Sequence, residues 1–199
     1  MRRLSRKFTI CMMLLTSILS ACGMKSSKDL PIYYMDVSYV IDIENPREVV
    51  GFGDCVFIAQ VNEKTETIHK NIKWINFKRT SMPYTVYSIT VIENLKGNIK
   101  KNTPIDIEKF GGINIGNDSI SLPEGDTLLE EGAYYIFIVG SDQEGNLVLS
   151  APTNAIKLNV EGENEIMYSE EYKDYMKYCE EEINFERQRF KSRYEEESS

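Results

Sequence analysis

Few residues in this chain have the type and spacing to do chemistry. His69 is the only histidine among 199 residues, so a His-based metal cluster is excluded and any Cys–His or Ser–His pair would depend on it alone. It sits in Thr67-Ile68-His69-Lys70-Asn71 with no nucleophile motif beside it, and it reads as a surface or loop histidine. Gly111-Gly112-Ile113-Asn114-Ile115-Gly116 is glycine-rich, but no helical pattern follows. It therefore lacks the setting in which a loop cradles phosphate, and reads as a wide turn. Asp142, Glu144 and Asn146 can ligate a cation, yet the closing Glu of a calcium loop is missing and Glu-Gly-Asn fits a hairpin turn. No paired carboxylates fall in a recognisable motif. The inventory points away from an enzyme and calls for no cofactor.

One segment stands apart. Residues 64–79 carry Lys64, Lys70, Lys73, Lys78 and Arg79 against Glu66, a net +4 in a chain whose formal charge is −8. Ile72, Trp74 (the sole tryptophan) and Phe77 are interleaved with those charges. Aromatic faces stack on sugar or base rings, and Lys and Arg pair with phosphate or carboxylate. Lys70, Lys73, Trp74, Phe77 and Lys78 are therefore candidate ligand-binding residues on a loop. The same pattern also fits an extra hairpin that folds Ile72, Trp74 and Phe77 back into the core and leaves the lysines solvated. Exposure of Trp74 separates the two.

At the N-terminus, Met1-Arg2-Arg3-Leu4-Ser5-Arg6-Lys7 precedes a mildly apolar run over 8–21 and then Cys22. A basic head, a short apolar middle and small residues before a cleavage point make an export signal, and the run is shorter than the roughly 20 residues a spanning helix needs. Leu19-Ser20-Ala21-Cys22 resembles the lipobox of bacterial lipoproteins. That resemblance implies removal of 1–21 and acylation of Cys22, holding the protein at the cell membrane on its extracytoplasmic face. The implied group is at least a diacylglyceryl, and two chains anchor durably where one does not. Removing 1–21 takes the formal charge from −8 to −12. A surface this acidic argues against binding nucleic acid, or anionic lipid over its whole face. Cys11 leaves with the signal and Cys22 is taken by lipid, which leaves Cys55 and Cys179. An exported compartment permits a bridge between them, and two buried free thiols fit equally well.

The elements that must position these residues follow from hydrophobic period and turn chemistry. Residues 22–30 read as a tether and 30–43 as an irregular or strand-like lead-in. Asn45-Pro46-Arg47-Glu48 starts a short helix, with Asn45 as cap and Glu48 reaching back to it, and Gly51 and Gly53 stop it. Strands are expected over 55–61, 84–93, 105–108, 134–139 and 147–149. In the second, Thr85, Tyr87, Ile89 and Val91 share one face; the fourth is apolar on both faces and reads as central. Residues 163–199 lack Gly and Pro, and Tyr168, Tyr172, Tyr175, Met176, Cys179, Ile183, Phe190 and Tyr194 recur at helical spacing. They read as one long helix of about 45 Å. Tyr172, Met176, Cys179 and Ile183 should dock, while the part beyond Glu186 and Arg187 should be solvated and fray at Glu195-Glu196-Glu197.

Asp54-Cys55-Val56-Phe57-Ile58-Ala59-Gln60-Val61 after a short helix resembles the opening strand of bacterial OB-barrel domains of the netrin/tissue-metalloproteinase-inhibitor type. Tyr84-Thr85-Val86-Tyr87-Ser88-Ile89-Thr90-Val91 with Leu95-Lys96-Gly97 is similar to their second strand and turn. Gly111-Gly112 and Glu131-Gly132-Ala133-Tyr134-Tyr135-Ile136-Phe137-Ile138 fit the later strands. The expected fold is mainly β: a small antiparallel OB-like barrel of about five strands over 31–160, plus a long C-terminal α-helix over 161–199. The animal inhibitors of this type chelate a protease zinc through a free N-terminal Cys amine held by a Cys-x-Cys disulfide pattern. Here the new N-terminus, Cys22, is expected to carry lipid and Gly23-Met24 follow it, so that mechanism does not transfer. The expected role is a non-enzymatic binding module for a protein, a peptide or a cell-wall polymer. The alternative is an inhibitor of an extracellular peptidase or an enzyme with an unrecognised site.

Overall fold

The computed structural model describes residues 30–75 and 77–196. Cys22 and the expected signal and tether lie outside those residues. Pro31–Ser199 is one compact unit that contains every strand and both apolar clusters described below. Among the described residues no helix is long and apolar enough to cross a membrane.

The chain is mainly β. In order it forms β1 (Ile32–Met35), α1 (Pro46–Phe52), β2 (Cys55–Ile75), β3 (Lys78–Lys96), β4 (Pro104–Phe110), β5 (Gly112–Ile113), β6 (Ile120–Pro123), β7 (Tyr134–Ser141), β8 (Leu147–Leu149), β9 (Ala155–Lys157) and α2 (Glu170–Glu180). Among the described residues nine strands replace the five expected: β2, β3, β4, β7 and β8 answer those five, β2 and β3 run far past their apolar parts, and the short β1, β5, β6 and β9 are added. The larger sheet closes partly on itself. β2 pairs with β3, β3 with β4, β4 with β8 in parallel, β8 with β7, and β7 returns to β2. β9 adds to β7, and β1, β6 and β5 form a separate three-stranded sheet.

Alternation explains the core. On β2, Cys55, Phe57, Ala59 and Val61 point into the ring, where they meet Tyr87, Ile89 and Val91 of β3 and Tyr135, Phe137 and Val139 of β7. The other face of the same strands, Val56, Ile58, Ile136 and Ile138, packs on Val49 and Val50 of α1 and on Tyr172, Tyr175, Tyr178 and Cys179 around α2. The strands buried on both faces are those whose sequence is apolar throughout. This geometry leaves Cys55 and Cys179 on opposite faces of the sheet, and both are free thiols. Burial pushes Cys55 up to about 12, aided by nearby Glu195 and Asp54, and Cys179 up to about 11.

The long C-terminal helix does not form. A 3-10 turn covers Glu163–Tyr168, Ser169 caps α2 by accepting from the Tyr172 N–H, and α2 ends at Glu180. Acids oppose a helix dipole at its C-terminus, and Glu180-Glu181-Glu182 supply that opposition well before residue 195. Tyr172 and Cys179 dock as expected and Tyr175 and Tyr178 turn toward the core with them, whereas Met176 and Ile183 stay outside the apolar cluster, 36% and 38% exposed.

From Glu181 the chain is a strap across the barrel rather than a frayed end. The Ile183 N–H donates to the Arg47 carbonyl, and the Arg193 N–H to Gly145. Glu195 then bridges Ile99. The strap and Lys96 of β3 together supply what α1 lacks. A helix leaves its last carbonyls without intrahelical donors. Here Arg189 donates to the Gly51 carbonyl, Arg187 to Phe52, and Lys96 to Val50 and Gly53. Asp54 completes the cluster by accepting from Arg187, Arg189 and the Ser141 N–H. At the N-terminus of α1 the expected cap holds: Asn45 accepts from the Arg47 N–H, and its amide donates to Glu48.

Candidate functional site

The basic aromatic segment is a β-hairpin arm, not a loop. Beyond Lys70 and Met82 the two strands leave the ring and continue as pairs Lys73–Thr80, Trp74–Arg79 and Ile75–Lys78. A β-bulge falls between Lys70 and Lys73, with Asn71 at φ +53°. From Lys70 to Ile75 the arm projects about 17 Å at strand rise. It does not fold back: Trp74 is 73% exposed, Phe77 100%, Ile75 55% and Ile72 46%.

Register sorts the arm into faces, because directly opposed residues in an antiparallel pair share one. Lys70, Lys73, Ile75, Thr80 and Met82 lie on one face; Trp74, Arg79 and Ser81 lie on the other. Phe77 stands at the end with φ +63°. A bulky L-residue in that region is strained by about 1–2 kcal/mol, where glycine would not be.

Lys70 is occupied at the base. Its ammonium lies 2.5 Å from Glu108 and 3.6 Å from Asp142, over the Tyr84 ring. Burial alone would lower its pKa, but the bond to Glu108 and the surrounding negative charge raise it. Asp142 is itself fixed: its carboxylate accepts from the Asn146 N–H and amide and from the Glu144 N–H. Burial disfavours its charge, yet those bonds and Lys70 hold it below the usual carboxylate range. The segment 142–146 is thus the hairpin turn its sequence describes. His69 is half-buried in β2, its Nε2 3.0 Å from the Ile113 carbonyl and so donating to it. Lys70 braces the base of the arm against β4 and the 142–146 turn, and His69 braces it against β5.

Beside the arm, an open cleft of about 620 Å³ lies between Arg79, Thr80 and Ser81 and the turn carrying Asn114, Asp118 and Ser119. The turn is rigid: Asn114 donates to the Ser119 hydroxyl, which donates to Asp118. The Ser81 hydroxyl has no hydrogen-bond partner among the described residues. Gly111 and Gly112 route the chain into this turn at φ +101° and +151°, and a Cβ on Gly112 would stand 2.4 Å from the Thr85 hydroxyl. A second cavity of about 120 Å³, between 39–43, α1 and Arg187, is smaller and mostly apolar. No group of three His, Cys, Asp or Glu suited to a metal occurs among the described residues.

No family model matches this chain, and no curated protein does. The site therefore rests on its own geometry. Of the expected residues, Lys73, Trp74 and Phe77 are exposed on the arm, Lys78 is opposite Ile75 in register, and Lys70 is locked in ion pairs. Ile75, Arg79 and the 114–119 turn join them. Arg79 is among the basic residues of 64–79 in the sequence, but its place opposite Trp74 comes from the hairpin register, and nothing local brings 114–119 alongside.

Proposed function

We propose that this protein is a lipid-anchored extracytoplasmic binding module without catalytic activity of its own, built on an OB-like barrel. The ring of five strands within the nine supports the OB-like part, and the arm occupies the connection after the first ring strand, one that such barrels use for recognition. The single observation that carries the reading is the exposed basic aromatic arm standing beside an open cleft. The cleft is open and mixes polar groups from Arg79, Ser81, Asn114 and Asp118 with apolar surface around Ile115, which suits an extended chain, a cell-wall polymer or a peptide segment, better than a small ligand that needs enclosing. Arg79, which lines the cleft, would pair with its acidic groups.

Two experiments test the reading. Cys22→Ser should abolish lipid attachment and either release the protein from the membrane fraction or leave uncut precursor; normal processing and retention would refute the anchor. Isolated anionic wall polymer should retain the protein in a salt-sensitive way, and Arg79→Ser with Lys73→Ser should weaken that binding while leaving the fold intact. Equal retention of wild type and double variant would remove the arm from the site.

A further inference from the structure

The tip of the arm differs chemically from the cleft at its base. Ile72, Trp74, Ile75 and Phe77 are all exposed, Trp74 on one face, Ile75 on the other and Phe77 at the end. A pocket in a protein meets one face of a hairpin, and a polymer lies along one. An apolar surface that wraps the whole end instead matches a medium entered end-on.

The charges around the tip are sorted as well. The chain has 31 acidic residues, yet none falls between 67 and 92. Lys73 and Arg79 stand on opposite faces one step behind the tip, and neither forms an ion pair among the described residues. Tryptophan favours the boundary between headgroups and acyl chains, and cations beside it meet lipid phosphates. Phe77 points the same way: at φ +63° the turn would be more comfortable with glycine, and it carries an aromatic ring instead. The acidity of the remaining surface keeps the barrel off an anionic bilayer and confines contact to the arm.

We propose that the tip of the β2–β3 arm inserts into the headgroup layer of an anionic lipid bilayer, a second membrane contact independent of lipid on Cys22. The cleft beside Arg79 and Ser81 would then be held at the membrane surface.

The test uses the chain from residue 23 onward, which contains the whole compact unit and lacks Cys22, so failure of the lipid-anchor reading cannot affect it. Trp74, the sole tryptophan, is the probe. Vesicles of phosphatidylglycerol and phosphatidylcholine should shift its emission to the blue, protect it from acrylamide and expose it to quenching by brominated acyl chains. Phosphatidylcholine alone should do none of these. Phe77→Gly should lower partitioning by about tenfold with the urea midpoint unchanged or raised. Lys73→Ser with Arg79→Ser should lower it by about tenfold at low salt, and about 0.5 M salt should erase that difference. Unchanged Trp74 emission with anionic vesicles, equal partitioning of Phe77→Gly, or equal binding to neutral vesicles would overturn the proposal. Burial of Trp74 by soluble wall polymer without any vesicle response would also overturn it, and would assign the tip to the polymer.

Discussion

Lys109 follows Ile105 and Ile107 on the inward face of β4, where alternation leaves room for an apolar side chain. It is almost fully buried, and its ammonium meets Asp126 at 2.5 Å. Burial lowers its pKa, an effect that the Asp126 charge opposes. Removing one member of such a pair strands a charge in a dry interior. Asp126→Ala should therefore cost about 3–5 kcal/mol in urea unfolding, whereas a Lys109→Met, Asp126→Leu double variant should recover most of it. An additive loss in the double variant would show that the two groups do not act as a pair. The strand expected over 105–108 stops one residue short of Lys109, and the lysine's partner, across an intervening strand pair and the turn at Gly125, carries no local signal. The thiols give a second residue-scale expectation. With both pKa values raised, Cys55 and Cys179 should react with iodoacetamide at pH 8 roughly a hundredfold or more slowly than an ordinary cysteine, and rapidly once unfolded. Absence of reaction after denaturation without reductant would indicate a bridge.

Among the elements, α1 and the strap define each other. Gly51 lies inside α1, and a Cβ built there would stand 2.0 Å from the Ile183 carbonyl oxygen. The glycine that looked like a helix stop from sequence is the place where the strap crosses. Gly51→Ala should destabilise the full chain by about 1–3 kcal/mol. In a chain ending at residue 181, the same change should be neutral or stabilise by up to about 1 kcal/mol, since alanine is the better helix former. Equal effects in both backgrounds would mean that the strap does not press on α1. The truncation itself removes the donors from Gly51 and Phe52 and both arginines from Asp54. It should cost about 3–5 kcal/mol, read as a lower urea midpoint. The sequence of 181–196 reads as helix because propensity and spacing are local quantities; the carbonyls and the carboxylate that straighten it lie more than 130 positions upstream.

For the whole molecule, what was legible divides by range. Strand faces, the Asn45 cap and the 142–146 turn came from neighbours within a few residues, and the structure has them. The parallel β4–β8 pairing, the arm's freedom from the core and the strap depend on contacts that no window of sequence contains. Net acidity is also a global property. With a formal charge of −8, raising ionic strength from about 0.02 to about 0.3 M should raise Tm by a few degrees through screening of self-repulsion. A falling Tm would show that the ion pairs around Lys70 and Asp54 dominate instead. The order in which the parts arrive along the chain has its own consequence. Cys55 pairs with Val139, 84 positions later, and α1 waits for Arg187 and Arg189. A polypeptide made from its N-terminus thus carries an unpaired edge on β2 until β7 is made, and part of the α1 end unanswered until Arg187 and Arg189 follow. Until β7 arrives, β2 offers an open edge on which another extended chain can pair.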